Sequence, residues 1–113
     1  MKKLIQVIDF IEDFMRWSRR RRDIRAVGLT GSYARMQANA SSDVDLVIIA
    51  NDPQKYLSNT EWLRVFGVVI TQKVEDYGAL TSLRVWYESG LEIEYGFTTR
   101  EWVKSPLDEG TRR

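Results

Sequence analysis

The chain contains no cysteine and no histidine. Without cysteine there is no disulfide, no thiolate nucleophile and no zinc site built on sulfur. Without histidine there is no Ser-His-Asp triad, no two-histidine zinc hydrolase and no imidazole acid or base. Any chemistry falls to carboxylates, hydroxyls, lysine, arginine or a hard, oxygen-bound metal of the magnesium class. Net charge is scarce too. Lys+Arg number 17 against 16 Asp+Glu, a balance of +1, which argues against a general nucleic-acid footprint. No stretch approaches the ~20 apolar residues of a membrane span. The opening Met1-Lys2-Lys3-Leu4-Ile5 is interrupted by Gln6, Asp9, Glu12 and Asp13 before the apolar region of a signal peptide forms. Internal repeats and low-complexity linkers are absent. The expectation is a soluble, cytoplasmic protein with no membrane contact.

What is present is an ordinary globular balance. The 113 residues are 43% hydrophobic and 29% charged, enough for one core and a single domain over 1–113. Leu4, Ile8, Ile11 and Met15 recur at helical spacing, widened by Ile5, Val7 and Phe14, and predict an amphipathic helix over 3–20. Arg19 to Arg22 close it, as cations suit a helix C-terminus. Ile24 to Thr30 reads as a strand, Ser32 to Gln37 as a short helix capped by Ser32, and 39–42 as a loop. Asp43 to Ala50 reads as a strand whose Leu46-Val47-Ile48-Ile49 run suits burial on both faces. Asn51-Asp52-Pro53 is a turn. Residues 54–66 are expected to be helical with Trp62, Val65 and Phe66 inward, 68–73 a strand, and Glu75 to Gly78 a loop.

Leu83 to Glu88 and Leu91 to Phe97 predict a hairpin around a two-residue Ser89-Gly90 turn. That register sets Glu92 opposite Tyr87 and Glu94 opposite Val85, with Gly96 leaving open space beside Glu94. Ser105-Pro106 marks a last helix start. The chain stops at Thr111-Arg112-Arg113 before that helix gains length, which leaves room for a longer natural chain. The order α-β-α-β-α-β-β-β predicts an α+β fold, a mixed sheet with helices packed against it.

Three features carry chemistry. Asp43 and Asp45 sit at i and i+2 on one strand, so their carboxylates share a face about 6–7 Å apart. Two such groups beside an apolar run repel one another and resist burial. A divalent cation between them relieves both costs, although an exposed strand start would tolerate the pair without one. Glu92 and Glu94 repeat the geometry on a later strand, where a wet sheet face is the bland explanation. Gly31-Ser32 joins a strand end to a helix start, a ready anion site or an ordinary capped turn. No Gly-Lys-Ser/Thr follows it, and Gly28-Leu29-Thr30-Gly31 lacks the third glycine of a dinucleotide fingerprint. Together, a phosphate-binding turn, a ten-residue gap, an Asp-x-Asp strand and a later carboxylate outline a two-metal phosphoryl-transfer site.

The run Gly31-Ser32-Tyr33-Ala34-Arg35 followed by Ser42-Asp43-Val44-Asp45-Leu46 resembles the DNA polymerase beta-like nucleotidyltransferase superfamily. The likeness is greatest to its small bacterial minimal and aminoglycoside nucleotidyltransferases. The motif covers 28–50, and with the third carboxylate the likeness reaches about residue 97. The resemblance implies a polymerase-beta palm-like nucleotidyltransferase fold. It implies that Gly31 and Ser32 hold the β/γ-phosphates of ATP as substrate, and that Asp43 and Asp45 bind metal, usually two Mg²⁺. A third carboxylate in an apolar-acid-apolar triplet would help hold the catalytic metal and activate the acceptor hydroxyl. Both Leu91-Glu92-Ile93 and Ile93-Glu94-Tyr95 fit; Glu94, deeper in its strand, is preferred and Glu92 stays open. Arg35 would contact a phosphate or brace the loop. Relatives often carry glycine where this chain has Met36, which would reshape the 36–42 loop.

The reading is thus a metal-dependent nucleotidyltransferase moving AMP from ATP to a hydroxyl of a small molecule or a protein. Larger relatives add a helical acceptor-binding domain, for which 98–113 are too few residues. A homodimer or a helical partner protein would then supply the missing wall. A second reading is an antitoxin-like adenylyltransferase acting on a tyrosine of a HEPN-class toxin. A third is a non-catalytic nucleotide-binding module, which a lost carboxylate would have marked.

Overall fold

The computed structural model describes residues 2–30 and 43–101. The expected 32–37 helix and the site candidates Gly31, Ser32 and Arg35 lie outside the described residues. The elements run α1 (Lys2–Arg19), β1 (Ile24–Thr30), β2 (Val44–Ala50), α2 (Gln54–Ser58), a 3-10 helix (Glu61–Phe66), β3 (Val69–Asp76), β4 (Thr81–Tyr87) and β5 (Glu92–Thr98). The strands form one mixed sheet in the order β1-β2-β5-β4-β3. β2 and β5 are parallel; every other neighbouring pair is antiparallel. This is the α+β architecture the element order predicts. No described helix is long and apolar enough to cross a membrane.

Period-two alternation divides the sheet into two faces. One carries Val44, Leu46, Ile48, Leu83, Val85, Tyr87, Ile93, Tyr95 and Phe97, all buried. Against it pack Val7, Phe10 and Phe14 of α1 together with Tyr56, Trp62, Leu63 and Phe66. Tyr95 lies near the middle, its ring meeting Phe10, Phe14 and Trp62 at centroid distances of 6.1, 5.6 and 4.9 Å. The stripe of α1 is therefore rotated from the expected one. Leu4, Ile5 and Ile8 are exposed, because the larger rings of Phe10 and Phe14 remove more apolar area from water when they face the sheet. β2 is fully buried on one face and half-buried on the other, not buried on both.

The expected 54–66 helix is two short pieces. Asn59 between them is extended (φ −129, ψ 107). Polar side chains compete with the helical ladder here: Ser58 Oγ donates to Gln54 O at 2.7 Å, and Asn59 Oδ1 accepts from Glu61 N at 3.2 Å. Trp62 then donates its indole N–H to Tyr56 O at 2.9 Å. Phe66 faces the core as expected, while Val65 is exposed. β3 extends through Glu75 and Asp76, expected as loop, because Glu75 pairs with Ser82 and Asp76 with Thr81 in the ladder. Asp76 Oδ1 also accepts from Gly78 N at 2.8 Å, and Gly78 takes φ +85.

The β4–β5 hairpin departs most consequentially. Tyr87 N donates to Leu91 O at 2.9 Å, which closes a three-residue connection, 88–90, with Gly90 at φ +98. Three-residue hairpins commonly need such a left-handed residue. The extra residue shifts the register by one, so Glu92 lies opposite Trp86 and Glu94 opposite Arg84. A one-residue shift exchanges faces. Tyr87 therefore points into the core, and Arg84 joins the glutamates.

In that core the Tyr87 hydroxyl donates to Leu63 O at 2.9 Å and meets the Tyr95 hydroxyl at 2.9 Å. Tyr87→Phe leaves a buried carbonyl and a buried hydroxyl without that partner and should cost about 1–3 kcal/mol. Tyr95→Phe, which leaves the Leu63 bond intact, should cost less. Chemical denaturation of the two variants gives the order; the reverse order would mean that the chain of donors is wrongly assigned.

Candidate active site

The second face of the sheet is acidic at one end. Asp43 and Asp45 stand at the N-terminal end of β2, and Glu92 and Glu94 at the N-terminal end of β5. Because the two strands are parallel neighbours, those ends coincide, and Asp45 lies opposite Glu94. One carboxylate oxygen from each of Asp43, Asp45 and Glu94 lies within 4.8 Å of the others. All three side chains are half-buried. Glu94 joins the aspartates; Glu92, one pleat away, lies outside that trio. On the far side of β2, Thr30 ends β1 directly opposite Asp45, and its hydroxyl donates to Asp45 O at 3.3 Å. Gly31 is the next residue in the chain.

Arg84 lies at the centre of the acids. Its Nη1 donates to Asp43 Oδ2 at 3.2 Å and to Glu92 Oε2 at 2.9 Å. Nη2 donates to Glu94 Oε2 at 3.0 Å, and Nε to Glu75 Oε1 at 3.3 Å. Buried Ser82 donates to the other oxygen of Glu94, Oε1, at 2.9 Å. Burial disfavours the guanidinium charge, but Glu94 and Asp43, then Glu92 and Glu75, outweigh it and hold Arg84 more firmly protonated than an isolated arginine. Neither Arg84, Ser82 nor Glu75 was flagged by sequence reasoning. The signal lay in the hairpin register: a two-residue turn hides Arg84 on the wrong face, and a three-residue connection reveals it. Nor is there open space at Gly96. A Cβ there would meet Leu46 O at 3.1 Å and the Leu80 methyls at 3.3 Å, so Leu80 fills the volume expected to be free.

Asp45 bears the strain of this assembly. Its Oδ1 is buried with no hydrogen-bond partner among the described residues. Desolvation first, then the approach of the Glu94 carboxyl and the charge of Asp43, push its pKa up to about 6, against an opposing pull from Arg84. A buried carboxylate oxygen without a partner among the described residues, on a residue that stands with two other carboxylates, suits a hard divalent cation, which prefers oxygen donors. The donor set fits a metal of the magnesium class.

Residues 1–101 match the family model of streptomycin adenylyltransferase. No curated protein matches the chain in sequence. Among solved structures, an aminoglycoside 6-adenyltransferase from Bacillus subtilis is similar in fold, with a TM-score of 0.68 at 19% identity. The match covers 90% of this chain and 37% of that one, so the chain corresponds to little more than a third of the relative.

The raised pKa of Asp45 has a measurable sign. Its folded value, about 6, exceeds the ~3.9 of an unfolded aspartate, so the folded state binds the extra proton between them. The stability this confers is complete below pH ~4 and is lost as pH rises through about 6. In EDTA, the wild-type Tm should therefore fall relative to that of Asp45→Asn across this window, leaving the variant the more stable near neutrality. A Tm difference that does not change with pH would count against a strained Asp45.

Proposed function

The chain belongs to the streptomycin adenylyltransferase family; from this premise we propose that it is a nucleotidyltransferase that moves AMP from ATP onto an acceptor hydroxyl by a two-metal mechanism, releasing pyrophosphate. The observation that carries the proposal is the convergence of Asp43, Asp45 and Glu94, one carboxylate oxygen of each lying within 4.8 Å of the others. In the reaction the acceptor oxygen forms a bond to the α-phosphorus. The bond from that phosphorus to the bridging oxygen breaks, its electron pair leaves with pyrophosphate, and the hydroxyl proton passes to a base. Glu94 is proposed as that base; in support of this, it lies opposite Asp45 on the neighbouring strand and close to Asp43. Asp43, Asp45 and Glu94 would hold the metal, and bound there it would supply positive charge to the transferring phosphate. Gly31 and Ser32 are assigned to the β/γ-phosphates, and Arg35 to a phosphate contact or to bracing the loop, on the strength of their motif and of Thr30 ending β1 beside Asp45.

The proposal leaves the acceptor as a small molecule or a protein hydroxyl. The Bacillus subtilis structure supports the fold alone, over the 37% of that enzyme that the match covers. A non-catalytic module is disfavoured because all three carboxylates are present and gathered.

Incubation with α-phosphate-labelled ATP, Mg²⁺ and a cell extract tests transfer directly. Label should move to a small molecule or a protein band, and no transfer at all would remove the transferase reading. Glu94→Gln should lower transfer by at least about 10²-fold with ATP binding nearly intact, whereas Glu92→Gln should retain measurable turnover. Calorimetry should show that ATP binding needs Mg²⁺ in the wild type and that the Asp43→Asn/Asp45→Asn double variant has lost this dependence.

A further inference from the structure

The guanidinium of Arg84 and a divalent cation would compete for the same carboxylates. Of the three residues suited to a metal, Arg84 already pairs with two, Asp43 at 3.2 Å and Glu94 at 3.0 Å. Its other two partners, Glu75 at 3.3 Å and Glu92 at 2.9 Å, lie outside the trio. The arginine is thus held by two acids that a metal would take and by two that it would not. With Ser82 on Oε1 and Arg84 on Oε2, both oxygens of Glu94 accept hydrogen bonds, which fixes the orientation of the carboxylate. Five carboxylates, those of Asp43, Asp45, Glu75, Glu92 and Glu94, surround this single guanidinium, and without it the repulsion among them would be uncompensated.

We infer that Arg84 is the resident counter-ion of the site: it holds Asp43 and Glu94 in place in the metal-free protein, and cedes both to an entering divalent cation while Glu75 and Glu92 retain it. The inference rests on the metal-binding reading of Asp43, Asp45 and Glu94 and extends it. Arg84 is a positioning residue, acting through the carboxylates and not on the substrate. Its release hands Glu94 Oε2 to the cation while Ser82 keeps its hold on Oε1.

Competition and simple bracing predict opposite signs for one measurement. Mn²⁺ is titrated by calorimetry into full-length wild type, Arg84→Gln and Arg84→Lys, without nucleotide, alongside melting curves in EDTA and in excess Mn²⁺. Arg84→Gln should bind Mn²⁺ about tenfold more tightly, equivalent to ~1.4 kcal/mol. It should melt below wild type in EDTA and recover most of that loss in Mn²⁺. Arg84→Lys, which keeps the charge but not the fork, should fall between the two in both measurements. Unchanged or weaker Mn²⁺ binding by Arg84→Gln overturns the inference while leaving the metal site standing. A melting loss that Mn²⁺ does not recover also overturns it, since a bracing contact alone behaves that way. Absence of Mn²⁺ binding in all three proteins overturns both the inference and the metal reading. Should Arg84→Gln fail to fold in EDTA, the comparison of Arg84→Lys with wild type decides the sign.

Discussion

The parallel pairing of β2 with β5 is the constraint on which the rest depends. It sets Asp45 opposite Glu94 and brings two acidic strand starts to the same edge. Parallel neighbours need a long connection, and here the segment between β2 and β5 contains α2, the 3-10 helix, β3 and β4. That segment is used twice. Its helices seal the core face through Tyr56, Trp62 and Leu63, and its strand β4 returns alongside β5 to deliver Ser82 and Arg84 to the acids. An antiparallel β2–β5 pair would have put Asp45 and Glu94 at opposite ends of the sheet.

Gathering carboxylates this way works against folding, and the two faces of the sheet divide the work. The core face is a continuous aromatic and aliphatic layer in which Tyr95, Phe14, Trp62 and Phe97 interlock. Hydrophobic burial of that kind supplies the stability. The other face carries Asp45 with an oxygen unpaired among the described residues and a pKa raised to about 6, which is unfavourable in the metal-free protein near neutral pH. Groups with perturbed ionisation concentrate at functional sites for this reason. The strain is tolerable because it sits on rigid strands next to a well-packed layer, and because Arg84 offsets part of it.

Much of this was legible in the residues. Alternation along β5 separated Ile93, Tyr95 and Phe97 from Glu92 and Glu94, and the Asp43-Val44-Asp45 spacing marked a shared face. Those patterns survive because a strand's period is fixed by backbone geometry. What escaped was decided by longer-range choices. α1 offered two overlapping apolar stripes, and packing against Tyr95 selected the one with Phe10 and Phe14. The 54–66 segment had helical periodicity, yet Ser58 and Asn59 drew the backbone into side-chain hydrogen bonds. The preference for Glu94 rests on its depth in the strand and on an expected Tyr87 beside Glu92 and an expected gap at Gly96, and neither of the last two exists. The geometry brings Glu94 to the aspartates for a different reason, its register against Asp45.

The length of the 88–90 connection is therefore a functional quantity. Counting back from β5, whose position is locked by β2, each residue added to or removed from this loop moves β4 by one place and reverses its faces. With three residues and a left-handed Gly90, Arg84 faces Glu94 while Val85 and Tyr87 fill the core. With two, Val85 and Tyr87 would stand over the acids. The guanidinium would then be driven into the aromatic layer, where no carboxylate waits and the cost of a buried, unpaired charge is several kcal/mol. Core and site thus select the same loop length independently. Leu83, Val85 and Tyr87 demand it for burial, and Arg84 demands it for charge, so a single register satisfies both faces of β4 at once.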